Sequence, residues 1–251
     1  MKVKHFCRLW MMIGLLAGLG VLAGDGVLKT ALDHEGRPAD DLERDKTSKP
    51  IEVLTFFGVE PGMAVTDLFS GEGYYSEILA HAVGPKGHVI AHNNKGYLAF
   101  LKDKAKARYQ SGRLPNVTLL DSEPEDLKLE ANSQDMILMV LSYHDIYYVT
   151  DGWPIFDNQA FFAQLHRALK PGGILAIVDH AAEEGTKTES VQTLHRIDEA
   201  FAKADIMAHG FTFVASSDLL RNPQDDKSKD VFGPDIRRRS DRFIYKFQKP
   251  K

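Results

Sequence analysis

A chain of 251 residues with 43% hydrophobic and 26% charged side chains can build one globular domain with a full core and a short appendage, and demands no second domain. Its 31 basic and 35 acidic residues give a net charge of −4, which argues against a nucleic-acid footprint, and the one basic cluster, Arg237-Arg238-Arg239 followed by Asp241, reads as a solvated or ion-paired face. The single cysteine, Cys7, excludes an internal disulfide.

Residues 1–24 stand apart. Lys2, Lys4 and Arg8 precede an uncharged run from Leu9 to Ala23, and Val21-Leu22-Ala23 offers small residues where a signal peptidase cuts. The pattern predicts a signal peptide and a periplasmic or exported chain. An uncleaved inner-membrane anchor is the competing reading and the one route to a membrane, although the run is shorter than the ~20 apolar residues of a span. Loss of this segment leaves 28 basic against 35 acidic residues, a net charge of −7. Residues 25–50 form a charged lead-in with a short helix, and residues 51–251 form one domain that opens with an apolar helical pattern over Ile51 to Phe57.

From Met63 onward, strands and helices alternate. Strands are predicted at Ala64 to Phe69, His88 to His92, Val117 to Leu120, Met136 to Leu141, Ile174 to Asp179, Phe211 to Ser216 and Phe243 to Phe247. Several are short apolar runs, as parallel strands buried on both faces should be. Helices are predicted at Tyr75 to Val83, Tyr97 to Arg108, Asn158 to Leu169 and Glu189 to Ala208. Lys170-Pro171-Gly172-Gly173 reads as a turn that ends one of them. The order predicts an α/β, doubly wound, mostly parallel sheet with helices on both faces.

Ligands of such sheets bind outside the carboxyl ends of the strands. The candidates are therefore Asp67 to Gly73, His92 to Asn94, Asp121 to Asp126, Ser142 to Asp145 and Asp179-His180. Gly71 and Gly73 follow the first strand, where glycine allows positive φ and close approach of a ligand to the backbone. A plain tight strand-to-helix connection would use glycines equally well.

With these elements placed, the chain resembles the class I S-adenosylmethionine-dependent methyltransferases from about Ile51 to the end. The likeness is carried by the acidic residue before the glycine turn (Asp67 to Gly73), by Lys170 to Gly173, and by two late strands after the last long helix. A narrower resemblance, to exported bacterial predicted methyltransferases, rests on four segments: Ser142-Tyr143-His144-Asp145, Val178-Asp179-His180, Leu194 to Asp198, and Leu220 to Pro223 with Asp241 to Phe243. The family fold implies seven strands, the last antiparallel and inserted beside the sixth. S-adenosylmethionine is implied as cofactor, with Asp67, Ser70, Gly71, Gly73 and Asn93 around its methionine and ribose, and Glu125 and Asp126 near the adenine. Phe69 stands where the family turn has its first glycine, and Asn93 or Asn94 where an acidic residue ends the second strand.

Methyl transfer needs an in-line nucleophile, sometimes a base, and close positioning. His144 is the expected general base, flanked by Tyr143 and Asp145, because an imidazole exchanges protons near neutral pH. Capping of the strand end is the simpler role for this residue. Asp179 and His180 end the fifth strand, and spacing places His195 and Asp198 on one helical face that could meet them. A metal held by His144, Asp145, His180 or His195 is disfavoured, since no H-E-x-x-H or comparable close ligand spacing occurs. Tyr74, Tyr75, Tyr143, Tyr147, Tyr148, Trp153 and Phe156 offer apolar walls for a small-molecule substrate. Two other readings stand beside methyl transfer: a periplasmic binding protein without turnover, and an NAD-dependent oxidoreductase suggested by Gly71-x-Gly73-x-x-Ser76. The sequence leaves the acceptor and the oligomeric state open.

Overall fold

Aliphatic runs punctuated by glycine and proline become the seven strands of a single sheet. The computed structural model describes residues 26–251 except 152 and 154–156, so the predicted signal segment and Phe156 lie outside the described residues. In chain order the helices are α1 (residues 26–32), α2 (Ala39–Ser48), α3 (Pro50–Phe57), α4 (Tyr74–Val83), α5 (Lys95–Leu101), α6 (Lys104–Ala107), α7 (Asn158–Ala168), α8 (Val191–Leu194) and α9 (Glu199–Ala208). The strands are β1 (Ala64–Asp67), β2 (His88–Asn93), β3 (Val117–Asp121), β4 (Gln134–Val140), β5 (Leu169–His180), β6 (Thr212–Ser217) and β7 (Arg242–Gln248). They lie in the order β3-β2-β1-β4-β5-β7-β6. The first five run parallel, and β7 is antiparallel between β5 and β6.

Alternation along the central strands divides the core. Ile137, Met139, Leu175 and Ile177 face a layer with Phe161, Phe162 and Leu165 of α7 and Ala202 and Ile206 of α9. Met136, Leu138, Ala176 and Val178 face the other layer, with Leu28 of α1, Val53 and Leu54 of α3 and Ile78 and Leu79 of α4. Both faces of β4 are therefore dry, which is why its sequence is almost continuously apolar. The charged lead-in is tied to the rest by the Asp41–Arg108 ion pair at 2.7 Å and by Tyr74 Oη, which donates to Asp45 at 2.7 Å.

Three expected elements differ. Lys170 to Gly173 belongs to β5 instead of forming a free turn. Leu169 pairs with Gln134 before a register shift, and Gly172, at φ 81°, absorbs the irregularity. The helix expected over Tyr97 to Arg108 breaks at Lys102, at φ 53°, into α5 and α6.

The helix expected over Glu189 to Ala208 also breaks, into α8 and α9, so His195 and Asp198 do not share a helical face. Arg196 is fully buried and forms a two-pronged ion pair with Asp225 at 2.8 and 3.0 Å, and it also donates to the carbonyls of Lys229 and Ala181. Ile197 exchanges backbone hydrogen bonds with His180 and Ala182 at the end of β5. These tertiary bonds outweigh local helix propensity. Asp198 then caps α9 by accepting from the amides of Ala200 and Phe201.

Candidate active site

Strand order reverses between β1 and β4, with β2 on one side and β5 on the other, and the crevice above their carboxyl ends is where a doubly wound sheet takes its ligand. The glycine turn after β1 contains Phe69 at φ 56°, Gly71 at φ 60° and Gly73 at φ 79°. Phe69 at a left-handed angle is costly for a bulky residue and is held by its surroundings: its ring stacks on Tyr97, meets His92 edge-on and packs near Trp153 and Phe161.

The turn is fixed from β2. Asn93 accepts from the Gly71 amide at 2.9 Å and donates to the Gly71 carbonyl at 3.0 Å and to Ser70 Oγ at 3.3 Å. Its amide thus clasps Gly71 through the two peptides that flank it. His92 donates from Nε2 to the Ser122 carbonyl at 3.0 Å, which leaves Nδ1 as the acceptor for the Phe69 amide. Burial pulls the His92 pKa down to about 4, against the Ser122 bond. Asp67 accepts from Ser76 Oγ at 2.6 Å, and burial pushes its carboxyl up to about 6, despite that bond and the charges of Arg44 and Arg108.

The second half of the site lies beyond β4 and β5. Leu141 at φ 58° turns the chain out of β4 into a 3-10 turn over His144–Tyr147. Asp179 holds His144 twice, accepting from its backbone amide at 2.7 Å and from Nδ1 at 2.8 Å, and it also accepts from the His180 amide at 2.7 Å. The opposite ring nitrogen of His144, Nε2, lies 3.3 Å from Asp145 Oδ1, while Asp145 Oδ2 accepts from Tyr97 Oη at 2.6 Å. Burial lowers the His144 pKa, but the carboxylates of Asp179 and Asp145 outweigh it and hold it near 9. The His195 ring stands edge-on to His144 with centroids 5.6 Å apart, braced by Tyr148 and Phe232. His180 is buried with Nδ1 2.6 Å from Ser240 Oγ; burial and the neighbouring His144 push its pKa well below the usual imidazole range.

His144, Asp145, Asp179, His180 and His195 therefore gather, and the first three interlock. Tyr143 does not join them: its hydroxyl donates to Asp205 of α9 at 2.6 Å, together with that of Tyr147 at 2.7 Å. Successive residues face different sides of the chain, and Tyr143 is the core-facing one. Glu125 and Asp126 are exposed, while Ser122, Pro124 and Leu127 are buried. Sequence reasoning missed Tyr97 as a ligand of Asp145 and Tyr109, whose hydroxyl lies where a side chain at Gly73 would sit. An aromatic opening the helix after β2 was the available signal for Tyr97; nothing local pointed to Tyr109.

The residues present fit S-adenosylmethionine. The space beside Gly71 is open, and three buried polar atoms lack a hydrogen bond around the crevice: Asn94 Nδ2 after β2, Tyr109 Oη in the turn and Ser142 Oγ after β4. Buried polar atoms without partners are rare, and a zwitterionic ligand with a ribose and a purine can satisfy such groups.

A family model described as methyltransferase domain matches residues 59–218. The ubiquinone/menaquinone biosynthesis C-methyltransferase of Shewanella oneidensis is 28% identical over 139 residues, which cover 55% of this chain and 51% of that protein. Its counterpart in Shewanella baltica is 25% identical over 172 residues, covering 67% and 64%. The chain thus spans about half the length of the first of these relatives. Among solved structures, a SAM-dependent methyltransferase from Aquifex aeolicus superposes with a TM-score of 0.60 at 23% identity, covering 89% of this chain and 97% of that one. Phosphoethanolamine N-methyltransferase 2 from Haemonchus contortus, in complex with S-adenosyl-L-methionine, gives 0.59 at 17% identity, covering 81% and 53%. At these identities the structural likeness establishes the fold.

Proposed function

The chain belongs to the class I S-adenosylmethionine-dependent methyltransferase family, and on that premise we propose that it methylates a small molecule held over the His144, Asp145 and His195 corner of the crevice. The observation that carries the reading is the pairing of a glycine turn at β1 with an oriented histidine–carboxylate group at β4 and β5, on the two sides of the point where strand order reverses. S-adenosylmethionine supplies an electrophilic methyl group on a sulfonium.

This chain's own residues do the rest. Gly71 leaves the backbone bare for the ligand, Gly73 makes room for the Tyr109 hydroxyl, and Asn93 holds Gly71 in the orientation the turn requires. His144, fixed by Asp179, binds the acceptor and takes its proton once it has lost its own, so its action as a base grows as the pH rises toward 9. Phe69, Tyr97 and Trp153 form an aromatic wall that excludes water and favours a flat or apolar acceptor. The naming of two relatives for quinone biosynthesis supports an acceptor of that kind, an aromatic ring with hydroxyl groups. Export, read from residues 1–24, remains part of the proposal.

A second reading, a binding protein that keeps the fold without turnover, is favoured by Phe69 in place of a glycine and by Tyr109 lying in the turn. Release of S-adenosylhomocysteine from S-adenosylmethionine, measured across hydroxylated aromatic acceptors, separates the two. Acceptor-dependent release that disappears in His144→Ala supports methyl transfer. Tight cofactor binding without release across that series favours the binding protein.

A further inference from the structure

The geometry points to a divalent metal site made of His144, Asp145 and His195. One ligand atom from each of the three lies within 4.8 Å of the others, the one such group of three among the described residues. The inference stands on this geometry and does not depend on methyl transfer: with an ion bound, His144 Nε2 is a ligand and not a base.

Four features make the group a site and more than a cluster. First, Asp179 accepts from His144 Nδ1 at 2.8 Å, which leaves Nε2, on the opposite side of the ring, as the nitrogen an ion would take in place of a proton. A carboxylate behind the distal nitrogen is the usual support of a metal-bound histidine. Second, Tyr97 Oη occupies Asp145 Oδ2 at 2.6 Å, so Oδ1 is the oxygen left for an ion. Third, Nε2 of His144 and Oδ1 of Asp145 are 3.3 Å apart. Metal–ligand bonds of about 2.0–2.2 Å in a tetrahedron set their ligands about 3.3–3.6 Å from each other. Fourth, His195 forms no hydrogen bond through its ring among the described residues, and it sits at a left-handed φ of 51°, a strained position imposed by the break between α8 and α9. Its half-buried ring places a nitrogen within 4.8 Å of the other two ligand atoms.

His180 is outside the set of ligand atoms that lie within 4.8 Å of one another. Two imidazoles and one carboxylate suit zinc or another first-row divalent ion, and three protein ligands leave a coordination position for water or a substrate oxygen. No short ligand motif announces this site. His144 and Asp145 are neighbours in sequence, and the third ligand comes from a segment 50 residues later that the sequence reads as helix.

The test uses the full chain without a polyhistidine tag, stripped with a chelator and titrated with Co2+ while its visible d–d absorption is recorded, with Zn2+ as competitor. One Co2+ per chain, displaced by Zn2+, is expected. His195→Ala and Asp145→Asn should each weaken binding at least about tenfold with an unchanged circular dichroism spectrum, and Asp179→Asn should weaken it about 10–100-fold through the support of His144. His195 is only half buried, so its variant folds even where a His144 variant does not. Absence of the band at millimolar Co2+, or a band that neither His195→Ala nor Asp145→Asn weakens tenfold, overturns the assignment.

Discussion

Asp67 and His92 flank the glycine turn and titrate in opposite senses. The Asp67 carboxyl rises from 3.8 to about 6 on folding, so folding takes up a proton between those values and stability falls as the pH rises through them. The His92 pKa falls from 6.5 to about 4, so its contribution is complete above pH 6.5 and lost as the pH drops toward 4. The two effects offset each other, each on the order of 2–3 kcal/mol. Asp67→Asn should therefore make stability climb more steeply with pH between 4 and 6 than in the wild type, and His92→Gln should reverse the slope. Denaturant titrations across that range check both, and parallel curves for all three proteins would contradict the assignment. At the same scale, His144→Ala should reduce turnover about 10²–10⁴-fold while the dissociation constant for S-adenosylhomocysteine stays within a few-fold. His144, Asp145, Asp179 and His180 were legible as polar residues at strand ends. The turning of Tyr143 toward Asp205 and of Asn93 onto Gly71 was not, because side-chain direction at a strand end depends on the turn that follows.

Among the elements, the break between α8 and α9 shapes the site most. Arg196 and Asp225 are both almost wholly buried, and truncating one leaves the other charge unpaired. Asp225→Ala should lower stability by about 3–5 kcal/mol in urea unfolding, whereas an exposed pair such as Lys46 with Glu43 should contribute under about 1 kcal/mol. A loss below 1 kcal/mol for Asp225→Ala would show that the pair does not hold the break. The strands were readable because β1, β4 and β5 need apolar side chains on both faces. The helix breaks at Lys102 and His195, both at left-handed φ, were not, and at the second the bonds of Arg196 to Asp225 and of Ile197 to His180 come from segments far along the chain.

Across the molecule, the seven-stranded order with an antiparallel seventh strand follows from the alternation of elements together with the family likeness. Periodicity alone places strands without ordering them. The centre of the sheet carries the fold: Leu138→Ala in β4, fully buried, should cost about 2–5 kcal/mol, read as a shift of the denaturation midpoint. Among the described residues no helix is long and apolar enough to cross a membrane. The measurement that tests the central claim most directly is calorimetric titration of the protein with S-adenosylmethionine and, separately, with S-adenosylhomocysteine. Micromolar binding of both is the predicted result; no heat from either at millimolar concentration would contradict a methyltransferase site in this crevice.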